Sequence, residues 1–180
     1  MDHDKRGDAG PGTRRRAFLA AAAGAAGAGL LAGCIGGGNG DGGAAWRTAE
    51  LRTVRGDEPF TIADLASPVV IQSFAVWCPK CRRQSEQLAE VSDSVTVVGL
   101  NTDPNEDAGK VRQHAEENGF DWRFAVSPSA MTDSLVEAFG TTVTNAPSTP
   151  VIVACRGGGS TFMAGEIHSA EKIMSAADEC

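Results

Sequence analysis

Hydrophobic runs alternate with more polar segments along most of the chain. The run Val69–Val76 is dense in Val, Ile and Phe, which predicts a buried strand, and Val95–Leu100 predicts a second one. Between them, Pro79 occupies what would be the first position of a helix, where the missing N–H of proline removes no hydrogen bond. Leu88 and Val91 supply the few core contacts of this polar helix.

The second half of the chain continues the alternation. It predicts a helix that begins at Asp103-Pro104, presents Ala108, Val111 and Ala115 on one face and ends at Asn118-Gly119. The predicted elements that follow are a strand at 122–126, a helix at 131–139 closed by Gly140, strands at 151–154 and 162–165, and a helix at 169–177. Strands that alternate with helices and end in a hairpin and a helix predict an α/β sandwich. We expect a central mixed sheet flanked by helices.

The first 33 residues have the order of regions found in a secretion signal. A polar start is followed by Arg14, Arg15 and Arg16 before Ala-Phe-Leu, and then by an Ala-, Gly- and Leu-rich stretch. Arg15 and Arg16 resemble the pair of a twin-arginine signal, which exports folded proteins. An ordinary export signal with three arginines is the alternative.

The sequence that follows predicts a lipid anchor. Leu31-Ala32-Gly33-Cys34 resembles a lipobox, in which the chain is cut before the cysteine and the cysteine is lipidated. A glycine-rich segment then predicts a flexible tether. We therefore expect a signal peptide at 1–33, a tether at 34–45 and one domain at 46–180, anchored through Cys34 at the extracytoplasmic face of the cell membrane. Alternatively, Cys34 is an unmodified thiol in a cleaved signal.

Charge and composition narrow the class of protein. The 180 residues include 16 Lys and Arg against 23 Asp and Glu, which gives a net charge of −7. This acidic balance argues against a nucleic-acid partner, because negatively charged phosphates bind positively charged protein surfaces. About 135 residues remain after the tether, enough for one domain with a hydrophobic core. The use of five cysteines fits an oxidising exterior.

The most specific chemistry lies in Trp77-Cys78-Pro79-Lys80-Cys81, after the first strand. Two cysteines three positions apart at a strand-to-helix junction are sufficient for reversible thiol–disulfide exchange. Cys78 falls at the helix N-cap, where free N–H groups and the helix dipole stabilise a thiolate and should hold the pKa of Cys78 below the free value of about 8.5. Cys81 follows one turn later and is expected to be less exposed. Cys78 is thus the predicted attacking cysteine, and Cys81 resolves the mixed disulfide.

The residues Phe74–Arg82 resemble thioredoxin-like proteins of the TlpA/ResA branch, which are typically exported and membrane-tethered. The order of elements and a Thr-Pro before the fourth strand support the resemblance. It implies a thioredoxin-like three-layer sandwich and a thiol–disulfide oxidoreductase that needs no cofactor or metal, acting as a reductant rather than as an oxidant like DsbA. It also implies exported cysteine-containing clients, for example apocytochromes, and a membrane thiol carrier as electron donor.

Members of this family place a cis-proline opposite the cysteines, where it leaves backbone groups free for a substrate strand. In the segment 146–150 we assign this role to Pro150, preceded by Thr149, because a predicted strand follows it directly. Pro147 is the alternative. Together with Trp77, Thr149 and Pro150 form the predicted substrate-binding set.

The chain departs from the family at positions that often carry acids. Gln72 stands six residues before the first cysteine, where many thioredoxins bury a carboxylate that assists proton transfer. Gln84 stands where this branch often has a glutamate. The sequence therefore leaves two alternatives, water and Glu86, for the group that moves a proton to or from Cys81.

Other interpretations of the cysteines remain. A copper-delivery or other metal-binding module could use Cys78 and Cys81, although a closed site needs four ligands and His114 and His168 are interpreted as surface or capping residues. A static disulfide in a binding domain is a further alternative. Outside the motif, Cys155 and Cys180 either form a structural bridge between the last helix and the fourth strand, which we favour, or remain thiols.

Overall fold

The structure, a computed structural model, describes residues 44–180 of the chain. The predicted signal peptide, Arg15, Arg16, Cys34 and nearly all of the tether lie outside these residues. The described helices are α1 (Ala45–Thr48), α2 (Pro79–Ala89), α3 (Ala108–Glu117), α4 (Ser129–Phe139) and α5 (Ala170–Asp178), with 3₁₀ turns at Thr141–Thr144 and Ala146–Ser148. The described strands are β1 (Leu51–Arg52), β2 (Pro59–Phe60), β3 (Val69–Phe74), β4 (Thr96–Asn101), β5 (Arg123–Val126), β6 (Val151–Ala154) and β7 (Ser160–Met163). None of the helices within 44–180 is long and apolar enough to cross a membrane.

A five-stranded mixed sheet of order β5-β4-β3-β6-β7 forms the centre of the described part. Strands β3, β4 and β5 are parallel to one another, whereas β6 runs antiparallel to β3 and β7 antiparallel to β6. The register sets Gln72 opposite both Gly99 and Val151. The predicted α/β sandwich with a central mixed sheet is therefore confirmed. Strands β1 and β2, which form a small separate antiparallel pair, were not predicted.

The alternation of side chains along β3 divides the core into two layers. Val69 and Ile71 face α1 and α4, where they pack in one cluster with Trp46 and Leu135. Val70 faces the other side, together with core residues of α2 and α5. The helix α3 covers Phe74 on this second side through Val111 and Ala115. Helices on both faces of the sheet thus produce the three expected layers.

The start of α3 differs from the prediction. Asp107, and not Asp103, is the N-cap, because its carboxylate accepts a hydrogen bond of 2.9 Å from the backbone N–H of Lys110. Asp103 caps a turn in the preceding loop instead, where it accepts from Asn105 N at 2.8 Å. Ala108 is consequently exposed at the helix start, although Val111 and Ala115 are buried as predicted.

A second disulfide joins Cys155, just after β6, to Cys180, just after α5. This confirms the favoured pairing of these two cysteines. The turn that follows Cys155 is also held by Arg47 of α1, whose guanidinium donates to the carbonyl oxygens of Cys155 at 3.2 Å and Gly159 at 2.7 Å. The short helix α1 and the end of α5 therefore meet the same end of β6.

Removal of this bridge should destabilise the protein measurably. Because the two cysteines are 25 residues apart, we expect Cys155→Ser/Cys180→Ser to lower the free energy of unfolding by about 3 kcal/mol, through the greater freedom of the unfolded chain. Urea titration followed by tryptophan fluorescence measures the difference. With excess dithiothreitol both proteins lack the bridge and should unfold at the same urea concentration. A loss below about 1 kcal/mol without reductant would contradict the prediction.

Candidate active site

The Cys78–Cys81 pair lies where the chain leaves β3 and enters α2. The structure forms it as a disulfide, with the two Cα atoms 5.2 Å apart. Cys78 is the N-cap of α2, Pro79 is the first helical residue, and the sulfur of Cys78 accepts a hydrogen bond from the backbone N–H of Cys81 at 3.1 Å. The predicted N-cap position of Cys78 is confirmed. This N–H is one of the free donors of a helix start, and it points at the sulfur that becomes a thiolate on reduction.

Both cysteines are buried, which corrects the expected difference in exposure. The exposed fraction is 2% for Cys78 and 1% for Cys81. The cause is the loop before β6, which packs on the pair and brings the carbonyl oxygen of Ala146 to 3.1 Å from the sulfur of Cys81. The loop therefore lies against the sulfur of Cys81, a role for Ala146 that no local signal in the sequence reveals.

The prediction of a cis-proline at Pro150 is wrong. Within residues 44–180 the cis peptide bond precedes Pro68, so the bonds before Pro150 and before its alternative Pro147 are trans. Thr149 instead turns the chain into β6 with a left-handed backbone (φ 48°), and its hydroxyl donates to the carbonyl oxygen of Glu166. Thr149 and Pro150 are buried, whereas Pro147 is exposed in the loop that faces the cysteines.

Trp77 borders a groove beside the disulfide. It is the exposed large hydrophobic residue of the described part, with 59% of its surface accessible. Its indole N–H donates to the carboxylate of Asp103. The groove, which we call the Trp77 groove, has a volume of about 210 Å³ and runs between Trp77 and the loop residues Asn145 and Pro147. The hydrogen bond from Trp77, followed by one from the backbone of Asn105, holds the pKa of Asp103 below its usual range.

Gln72 connects β3 to the first turns of α2. Its side-chain amide donates to the carbonyl oxygen of Cys81 at 2.8 Å, and its oxygen accepts from the hydroxyl of Ser85 at 2.7 Å. All three residues are buried. At the position where many thioredoxins bury an acid, this chain has an amide that fixes the helix and cannot take up a proton.

Gln84 connects the same helix to α5. Its amide donates to the carbonyl oxygen of His168 at 3.0 Å, and its oxygen accepts from the N–H of His168 at 2.7 Å. This paired contact buries His168, which corrects its interpretation as a surface or capping residue. Glu86, by contrast, is on the outer surface of α2, where it forms an ion pair of 3.7 Å with Arg82. The carboxylate of Glu86 is therefore directed away from the buried network of Gln72.

Glu106 supports the segment between β3 and Cys78. One of its carboxylate oxygens accepts from the backbone N–H of Val76 at 2.8 Å and from the side-chain amide of the buried Asn101. No local motif marks Glu106 in the sequence, because its partner Val76 lies 30 residues away.

His114 of α3 packs behind the site and is buried, which corrects its assignment to the surface. Its ring stacks on Phe74, the last residue of β3, with 5.5 Å between ring centroids. Burial lowers the pKa of His114 below its usual value, against the opposing charges of Glu106 and Glu117 and with a smaller contribution from Arg82. Burial likewise lowers the pKa of His168. Within the described residues, no group of three or more His, Cys, Asp or Glu side chains is placed to hold a metal ion.

Comparison with protein families identifies a match over most of the chain. The Redoxin family matches residues 43–156, more than half of the sequence, and this region includes both Cys78 and Cys81. None of the curated proteins matches the chain.

Several solved structures share the fold. A secreted Mycobacterium tuberculosis disulfide oxidoreductase homologous to E. coli DsbE is 19% identical, has a TM-score of 0.56, and aligns over 75% of this chain and 98% of its own. The thioredoxin-related protein from Neisseria meningitidis serogroup B is 16% identical, with a TM-score of 0.58 and coverage of 72% and 97%. A thiol:disulfide interchange protein of the thioredoxin family from Chlorobium tepidum TLS is 20% identical, with a TM-score of 0.57 and coverage of 72% and 92%. The fold is thus thioredoxin-like, as predicted.

Replacement of Gln72 should reveal how strongly it holds α2. We expect Gln72→Leu to lower the free energy of unfolding by about 2 kcal/mol, because the buried carbonyl of Cys81 and hydroxyl of Ser85 lose their partner. Denaturant titration of the oxidised protein measures the change. Gln113→Leu, on the exposed side of α3, is the matched control and should change stability by less than about 0.5 kcal/mol. Equal stability of Gln72→Leu and the wild type would contradict a structural role for this amide.

Proposed function

The chain belongs to the Redoxin family and is a thiol–disulfide oxidoreductase, and we propose that it acts as a membrane-tethered reductant of exported proteins. The observation that carries the chemical part of this proposal is the hydrogen bond of 3.1 Å from Cys81 N–H to the sulfur of Cys78 at the start of α2. A helix N-terminus stabilises negative charge, so this sulfur is the one prepared to exist as a thiolate.

The reaction divides between the two cysteines. In the reduced protein the Cys78 thiolate attacks a client disulfide, forms a mixed disulfide and releases one client thiolate. The Cys81 thiolate then attacks the sulfur of Cys78, which restores the intramolecular disulfide and releases the second client thiolate. The client gains two electrons and the protein loses two. A dithiol donor must return them, and we propose a thiol carrier in the membrane.

The Trp77 groove is the proposed contact for the client chain. It lies next to Ala146, whose carbonyl oxygen contacts the sulfur of Cys81, offers the exposed indole of Trp77 and is bounded by Asn145 and Pro147. An extended segment around the client cysteine fits a groove of this kind, and the cysteine pairs of apocytochromes are candidate clients. Since Thr149 and Pro150 are buried, we place client contact at Asn145 and Pro147 instead.

The proposed membrane tether suits the position of α1. Val69 at the start of β3 pairs with Ala154 at the end of β6, whereas Phe74 at the end of β3 leads to Cys78. The turn after Cys155 therefore lies at the sheet edge opposite the active site, and Arg47 of α1 binds this turn. A tether that ends at α1 would join the domain at that opposite edge and leave the active-site edge free for clients.

Single cysteine variants test the exchange mechanism. We expect Cys78→Ser to abolish insulin reduction and Cys81→Ser to lose turnover but accumulate the mixed disulfide, because only the resolving step is missing. The matched control is Cys155→Ser/Cys180→Ser, which should keep its activity. We expect equilibration with glutathione to give a potential below about −200 mV, on the side of thioredoxin. Unchanged turnover in Cys78→Ser would refute the mechanism, and a potential near that of DsbA, about −120 mV, would reverse the direction.

Membrane fractionation tests the anchor. In a host with the twin-arginine and lipoprotein pathways, we expect the wild-type protein in the membrane fraction and Cys34→Ala in the soluble exported fraction. Arg15→Lys/Arg16→Lys should block export, which separates signal recognition from anchoring. Continued association of Cys34→Ala with membranes would exclude a lipid anchor at this residue.

A further inference from the structure

The Cys155–Cys180 disulfide lies at the opposite edge of the sheet from Cys78–Cys81. Cys155 follows the last residue of β6, which pairs with the first residue of β3, whereas the active-site pair follows the end of β3. The two disulfides are therefore separated by the length of the central strands.

The two cysteines of this second disulfide differ in residue exposure, and the sulfur of Cys180 lies 3.9 Å from the carbonyl oxygen of Ala176. Cys155 is half-buried in the turn that begins its loop, where its backbone N–H donates to the carbonyl oxygen of Gly159 at 2.8 Å. Cys180 is exposed beyond the end of α5. An incoming thiolate must approach along the S–S axis, and the exposed residue is the one that it reaches.

The local charges of the two cysteines differ as well. Cys180 follows Asp178 and Glu179 and lies at the C-terminus of α5, where the helix dipole disfavours negative charge. Cys155 precedes the exposed Arg156 and has the guanidinium of Arg47 at 3.2 Å from its carbonyl oxygen, and positive charge close to a cysteine favours its thiolate. Since the better-stabilised thiolate is the better leaving group, charge and accessibility select the same direction of attack.

We propose that Cys155–Cys180 is a second thiol-exchange site, at which an external dithiol attacks Cys180 and displaces Cys155. The first thiolate of the dithiol bonds to the sulfur of Cys180, and the electron pair of the broken S–S bond leaves on Cys155, which takes a proton from water. The second thiolate of the dithiol then attacks its partner in the mixed disulfide and releases Cys180. The dithiol is oxidised by two electrons, and the Cys155–Cys180 pair is reduced by two.

The test isolates this site in the full-length Cys78→Ser/Cys81→Ser protein. Dithiothreitol serves as the dithiol probe, and the loss of the Cys155–Cys180 bridge is followed by alkylation and mass spectrometry. We expect reduction of the folded protein to be at least about tenfold faster than its global unfolding, which pulse proteolysis measures under the same conditions. Reduction at the rate of unfolding would overturn the proposal, because the bridge would then react only after the fold is lost.

Two further measurements test the direction of attack. With glutathione as a monothiol probe, the mixed disulfide should form on Cys180, and an adduct on Cys155 would overturn the assignment. Arg156→Glu should slow reduction by dithiothreitol about twofold to threefold, because the leaving thiolate loses its favourable charge. Arg112→Glu makes the same change of charge on the exposed side of α3 and should leave the rate unchanged. Equal rates for the two variants would show that Arg156 does not assist the leaving group.

Discussion

The site depends on one interaction, the capping of α2 by the sulfur of Cys78. A helix start has backbone N–H groups without partners, and here the N–H of Cys81 is directed at the atom that changes charge during exchange. Pro79 contributes by starting the helix without an additional free donor. The same backbone geometry therefore begins the helix, holds the cysteines together and stabilises the thiolate.

Two buried amides fix the helix that carries this cap. Gln72 attaches the first turns of α2 to the central strand, and Gln84 attaches the next turn to the backbone of His168, just before α5. An amide can donate and accept hydrogen bonds without ionising. These contacts therefore do not depend on pH, whereas hydrogen bonds made by a carboxylate would. Gln72 and Gln84, at positions where the resembled thioredoxin-like proteins often carry acids, therefore hold α2 in place. Glu106, from a distant loop, supports the segment before Cys78.

Local signals predicted much of the fold and the centre of the site. The dense hydrophobic run of β3, Pro79 as the first residue of α2 and Gly140 as the end of α4 each act within a few residues, and the structure shows all three. The same holds for the N-cap position of Cys78. The predicted start of α3 was wrong because two local signals compete there. Asp103 and Asp107 can both cap a helix, but Asp103 caps the turn before the helix and Asp107 caps α3.

By itself, the sequence determined the α/β architecture, the reactive cysteine pair and the strand-to-helix junction that activates it, because periodicity, proline and capping are short-range effects. Only the tertiary structure decided what covers the pair and what surrounds it. The contact of the Ala146 carbonyl with the sulfur of Cys81 and the interior positions of His114 and His168 all depend on residues far apart in the chain. Such contacts are selected by packing around the sheet, and no pattern within one segment contains them.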